Sequence, residues 1–125
     1  MIKYTVSEAK NVELDDLVVP TIIELNEKGF ITAMSCEGHL TETEQAVPYI
    51  GFQKDVDIGF LLEEFKKLKL YGIIVTSNTL ENGLKCIYFD FGFLSGGLKK
   101  SYKYYTFNHF KIELWDKIFE IVNKI

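Results

Sequence analysis

The chain holds two cysteines and two histidines, and one of each falls in the short run Ser35-Cys36-Glu37-Gly38-His39. Three chemistries suit that run. The glycine lets backbone N–H groups turn toward one point, a nest for a phosphate or carboxylate, with Ser35 and His39 as side-chain donors. A thiol two residues from an imidazole also makes a nucleophile–base pair, Cys36 with His39. No acidic third member is identifiable from the sequence, because Glu37 sits between the two. Finally, Cys36, His39, Cys86 and His109 number four, as a tetrahedral zinc site needs. Zinc motifs usually bring two close pairs, whereas Cys86 falls in a strand pattern and His109 at a helix start. No metal and no cofactor are therefore expected, and those four would be the ligands of any metal. The plain alternative for the whole run is a tight connection with Cys36 as a small buried apolar residue.

A second feature is the run Gly96-Gly97-Leu98-Lys99-Lys100-Ser101-Tyr102-Lys103-Tyr104-Tyr105. Between Phe91 and Ile112 there is no acid, while Lys99, Lys100, Lys103, Lys111, His109 and three tyrosines appear. Lysines neutralise phosphates, and rings stack on bases at about 1–3 kcal/mol per base. A glycine pair would let the segment close over a ligand. The alternative is a solvated loop. One short basic segment on a chain of net charge −4 suits a small phosphorylated ligand better than a long polyanion.

The charge is unevenly placed. Residues 1–64 carry 4 lysines against 13 acids, and residues 65–125 carry 10 lysines against 5. Halves of opposite sign point to a ligand-facing basic surface or to head-to-tail self-association. Arginine is absent, which argues against a reader of duplex nucleic acid, since such readers exploit the guanidinium fork. At 125 residues and 47% apolar composition, a single α+β domain over 1–125 is expected. No apolar run approaches the roughly 18–20 residues of a membrane span, and the N-terminus lacks the apolar core of a secretion signal. A cytoplasmic protein with free thiols is expected.

The elements that must position these residues follow from periodicity. Ile2 to Val6 alternates as a strand. Asn11 to Lys28 reads as a helix with Leu14, Leu17, Val18, Ile22 and Leu25 on one face, starting late or bending at Pro20, and ended by Gly29. Phe30–Met34 and Val47–Phe52 read as strands, with a polar exposed stretch from Leu40 to Ala46 between them. Asp57 starts a second helix with Ile58, Leu61, Leu62, Phe65 and Leu68 on its face. Ile73–Thr76 and Leu84–Phe93 form a pair of strands about the turn Glu81-Asn82-Gly83. The stretch from Gly96 to Phe107 reads as a long loop. Asn108 then caps a last helix with Ile112, Trp115, Phe119 and Val122 inward. The order β-α-β-β-α-β-β-α predicts a mainly antiparallel sheet of about five strands with three helices on one face. Its first six elements form a split β-α-β, ferredoxin-like core, and a strand and a helix are appended. The open face would carry Tyr4 and Tyr88, inviting a ligand or a partner copy.

Leu25-Asn26-Glu27-Lys28-Gly29-Phe30, Thr32, Ser35-Cys36-Glu37-Gly38-His39 and Pro48-Tyr49-Ile50-Gly51-Phe52 together resemble a group of small phage and Firmicutes proteins. These share a Ser/Cys-Cys-x-Gly-His motif and a Tyr-Ile-x-Phe strand. The loop is more distantly similar to the Ser-Ser-Cys-x-Gly-Arg motif of the wybutosine-synthesis methyltransferase-like family, with His39 in place of the arginine. A phage origin implies the host cytoplasm and a sponge for a host nucleotide signal. The expected function is non-enzymatic binding of a small phosphate-bearing nucleotide or signalling metabolite by a homo-oligomer. Ser35, Cys36, Gly38, His39, Lys99, Lys100, Tyr102, Lys103 and Tyr104 would line the site. The alternatives are a nucleotide-processing hydrolase or transferase using His39 and Cys36, and a phage inhibitor that binds a host protein.

Overall fold

Asn11–Leu14 continues the apolar alternation of Ile2–Thr5, and in the computed structural model the two are strands β2 and β1 of an antiparallel hairpin. The structure describes residues 2–5, 11–41, 45–70, 72–91 and 100–125; side chains are described from 14 onward within these ranges, except 100–106. The helix expected from Asn11 is therefore shorter. A 3-10 turn at Asp16–Val18 leads into α1, Val19–Glu27, with Pro20 in its first turn. Proline has no N–H to give and its ring blocks the preceding turn, so the helix cannot run through it from upstream.

The remaining elements are β3 (Thr32–Cys36), β4 (His39–Leu40), β5 (Gln45–Ala46), β6 (Tyr49–Phe52), α2 (Gly59–Phe65), β7 (Ile73–Thr79), β8 (Lys85–Phe91) and α3 (Lys100–Lys124). β4 and β5 pair within the stretch expected to be merely exposed loop. Four strands form one antiparallel sheet in the order β3-β6-β8-β7. β6, α2 and β7 make one split β-α-β unit with β8 between the strands. The other half of a ferredoxin-like core is not confirmed: β1, which should enter the sheet, pairs with β2 instead. Tyr4 thus belongs to a strand outside the four-strand sheet.

The helices cover one face of the sheet. Phe89 of β8 meets Phe65 of α2 at 5.4 Å and Trp115 of α3 at 6.0 Å, and Phe91 meets Phe107 of α3 at 5.9 Å. Ile50, Phe52 and Ile87 are buried on the same face. The opposite face carries Met34, Tyr49, Cys86 and Tyr88, as the cross-strand register dictates. Burying one face and leaving the other part-open is what antiparallel sheets allow.

α3 corrects the reading of the basic segment. Residues 100–107, expected as loop, are helical, and Asn108 lies inside the helix. Gly96 to Lys99 lie outside the described residues. The buried stripe is Phe107, Leu114, Trp115, Ile118 and Val122, while Ile112 is exposed. Phe107 carries the buried stripe two turns upstream of Leu114, and burial of its ring favours the helix there. Among the described residues no helix is long and apolar enough to cross a membrane.

Candidate functional site

Where β3 leaves the sheet, three residues from separate segments converge. Asp15 follows β2, Cys36 ends β3, and His39 begins β4. His39 Nε2 lies 3.1 Å from Asp15 Oδ2. One donor atom from each of Asp15, Cys36 and His39 lies within 4.8 Å of the other two. Asp15 thus places a carboxylate beside Cys36 and His39. In the sequence it reads as a first-turn helix acid. The structure puts it at the N-cap of the 3-10 turn, yet its side chain caps nothing there and reaches the loop instead.

The loop is held from several sides. Its Glu37 N–H donates to Asp15 Oδ2 at 3.1 Å, and its Gly38 N–H donates to Cys36 Sγ at 3.4 Å. α3 grips it with residues spaced one turn apart. Phe107 packs on Gly38, Lys111 Nζ donates to Gly38 O at 3.1 Å, and Trp115 Nε1 donates to Glu37 O at 2.9 Å. Lys111 also pairs with Glu37 Oε2 at 2.8 Å. Gly38 has φ +95°, and a Cβ on it would stand 2.6 Å from Pro48 Cγ and 2.7 Å from Phe107 Cζ. Backbone conformation and space both require glycine here.

From α1, Asn26 staples the far end of β3. Its Oδ1 accepts Thr32 N–H at 2.9 Å, while its Nδ2 donates to Ile22 O at 2.8 Å. Bonded on both sides, the amide fixes the angle at which the strand departs toward the loop.

The other expected site residues are distributed as follows. Ser35 shares the core-side face with its cross-strand partner Ile50, and its buried Oγ has no hydrogen-bond partner. Lys100, Tyr102, Lys103 and Tyr104 are on the first turns of α3, just upstream of Phe107, and Lys99 lies outside the described residues. Cys86 and His109 do not join Cys36 and His39 in a four-residue cluster. β6 separates the two cysteine-bearing strands, two strand spacings or about 10 Å, and His109 is exposed on α3 beside Phe110. Both cysteines are buried, and no disulfide joins them.

On the open sheet face the rings of Tyr49 and Tyr88 meet at 5.9 Å between centroids, tilted by 50°. Burial raises the Tyr49 phenol above its ordinary value, and charge on Cys36, Cys86 and Asp15 pushes the same way. Burial also raises the Cys86 thiol, partly offset by a hydrogen bond with Tyr88. Tyr88 is raised by burial and then by Cys86. Tyr49, Cys86 and Tyr88 are therefore held protonated.

No protein-family model, curated protein or solved structure matches the chain.

Proposed function

We propose that this chain binds a small phosphate-bearing ligand of nucleotide type, without turning it over, where the Cys36–His39 loop adjoins the first half of α3. One observation carries the reading: the stripe Phe107, Lys111 and Trp115 fastens α3 onto Glu37 and Gly38. Lys100, Tyr102, Lys103 and Tyr104 precede that stripe by one to two turns on an acid-free stretch of helix. Lysines there would balance phosphate charge and tyrosines would stack on a base. The loop amides of Glu37 and Gly38 already donate to Asp15 and Cys36, and Ser35 faces the core, so the lysines rather than a backbone nest would meet the phosphate. With the resemblance to phage proteins, the ligand class is a host nucleotide signal held intact by a homo-oligomer.

The test is mass spectrometry of small molecules released by heating the purified protein, followed by titration of a nucleotide panel at low and high salt. A nucleotide should be recovered unaltered, and its affinity should fall with salt and by about tenfold in Lys100→Ala/Lys103→Ala. Recovery of none, together with no binding across the panel, rejects the reading.

A second reading has its own support in the Asp15–His39 contact beside Cys36, the acid–imidazole–thiol order of covalent catalysis. Asp15 would orient the ring through Nε2 and leave Nδ1 to take the thiol proton. It predicts cleaved or transferred ligand and loss of that conversion in His39→Ala.

A further inference from the structure

We propose that Asp15, Cys36 and His39 form a binding site for one divalent metal ion of the zinc class, with a fourth position open to solvent or to a ligand. Unlike the reading above, this requires no nucleotide and stands or falls separately from it.

The donor set selects the class of ion. One thiolate, one imidazole and one carboxylate form a borderline-soft set suited to zinc or cobalt, whereas magnesium and calcium take oxygen ligands. The spacing fits. With bonds of about 2.0–2.3 Å, two ligands of one tetrahedral ion stand roughly 3.3–3.6 Å apart. His39 Nε2 and Asp15 Oδ2 are 3.1 Å apart, and all three donor atoms lie within 4.8 Å of each other. Small side-chain rotations close the triangle on a common centre.

The surroundings support the same chemistry. The Gly38 N–H directed at Cys36 Sγ is the outer-shell bond that holds a thiolate in place, and the Glu37 N–H does this for the Asp15 carboxylate. Lys111, the cation that grips this loop, is paired with Glu37 at 2.8 Å, so its charge is compensated before it reaches the site. Asp15 gives up capping its own turn to face the cluster. Three protein ligands leave the position that closed structural sites fill with a fourth, and the His39 side chain, 32% exposed, gives a path to it.

Binding is balanced in charge and protons. The Cys36 thiol releases its proton as the metal–sulfur bond forms, and one dication then faces two anionic ligands and a neutral imidazole. A bound ion would also replace the acidic character of the loop with a Lewis-acidic position able to take an anionic oxygen.

The test uses the full chain, stripped with a chelator and titrated with cobalt(II), then with zinc(II). One equivalent of cobalt should produce a thiolate-to-cobalt charge-transfer band with tetrahedral ligand-field bands, and zinc should abolish them. Cys36→Ser should remove the charge-transfer band, and Cys86→Ser should keep it. Asp15→Asn, which preserves the size of the side chain, should weaken cobalt affinity by about tenfold or more. The wild-type protein decides the matter even where a variant fails to fold. Absence of the band in wild type, or its survival in Cys36→Ser, overturns the site and leaves a hydrogen-bonded staple between Asp15, His39 and the loop.

Discussion

Ser35 occupies the core side of β3 with a hydroxyl that has no partner. A buried, unpaired polar group costs about 1–3 kcal/mol. Ser35→Ala should therefore leave stability unchanged or raise it by about 1 kcal/mol in urea unfolding, and leave ligand affinity intact; a marked loss of affinity would return Ser35 to the site. The three raised groups, Tyr49, Cys86 and Tyr88, make a different prediction. Each keeps its proton in the folded chain to a higher pH than in the unfolded chain, where the ordinary values are near 9 for the thiol and 10 for the phenols. Their contribution to stability is complete below those values and is lost as pH rises through the folded ones, because the unfolded state gives up its protons first. The unfolding midpoint should hold steady up to the ordinary thiol range and fall above it, with a shallower fall in Tyr49→Phe/Tyr88→Phe. A flat alkaline profile would contradict the burial argument.

At the scale of elements, the β3–β4 turn is held more by its neighbours than by its own bonds. α3 reaches it through Phe107, Lys111 and Trp115, and Lys111 carries both a carbonyl bond and the pairing with Glu37. The Lys111 and Glu37 side chains are 15% and 14% exposed, so removing the lysine leaves a carboxylate largely shielded from water without its partner. Lys111→Ala should cost about 3 kcal/mol. Lys111→Ala/Glu37→Gln should cost less than the lysine change alone, a comparison made by chemical denaturation. Equal losses would place the pair among weak surface contacts. The apolar period of Leu114, Trp115, Ile118 and Val122 makes the body of α3 legible in sequence. Its first turns were hidden because tyrosine and lysine runs carry no apolar stripe. The burial that holds them, Phe107 against Gly38 and Phe91, joins residues distant in the chain.

For the whole molecule, the helical layer and the sheet meet through β8. Phe89 touches one ring from α2 and one from α3, so it couples elements that are otherwise far apart in the chain. Phe89→Ala should cost about 4 kcal/mol, a large share of the roughly 5–15 kcal/mol available to a domain. A thermal or denaturant midpoint close to wild type would show that the layers are held elsewhere.

Alternation and turn chemistry alone determined the strands β6, β7 and β8, the Glu81–Gly83 turn, α2 and the bodies of α1 and α3, because each is specified by neighbours within a few residues. The same local signals set Gly38 and its flanking thiol and imidazole apart as a candidate site. Only the tertiary structure decided that Asn11–Leu14 pairs as a strand instead of starting a helix, since a short amphipathic run fits either period until a partner strand is present. Only it brought Asp15 to His39, across 24 residues, and turned Ser35 inward. Which residues meet across a sheet edge depends on the pairing of distant strands, and no spacing within the chain encodes that meeting.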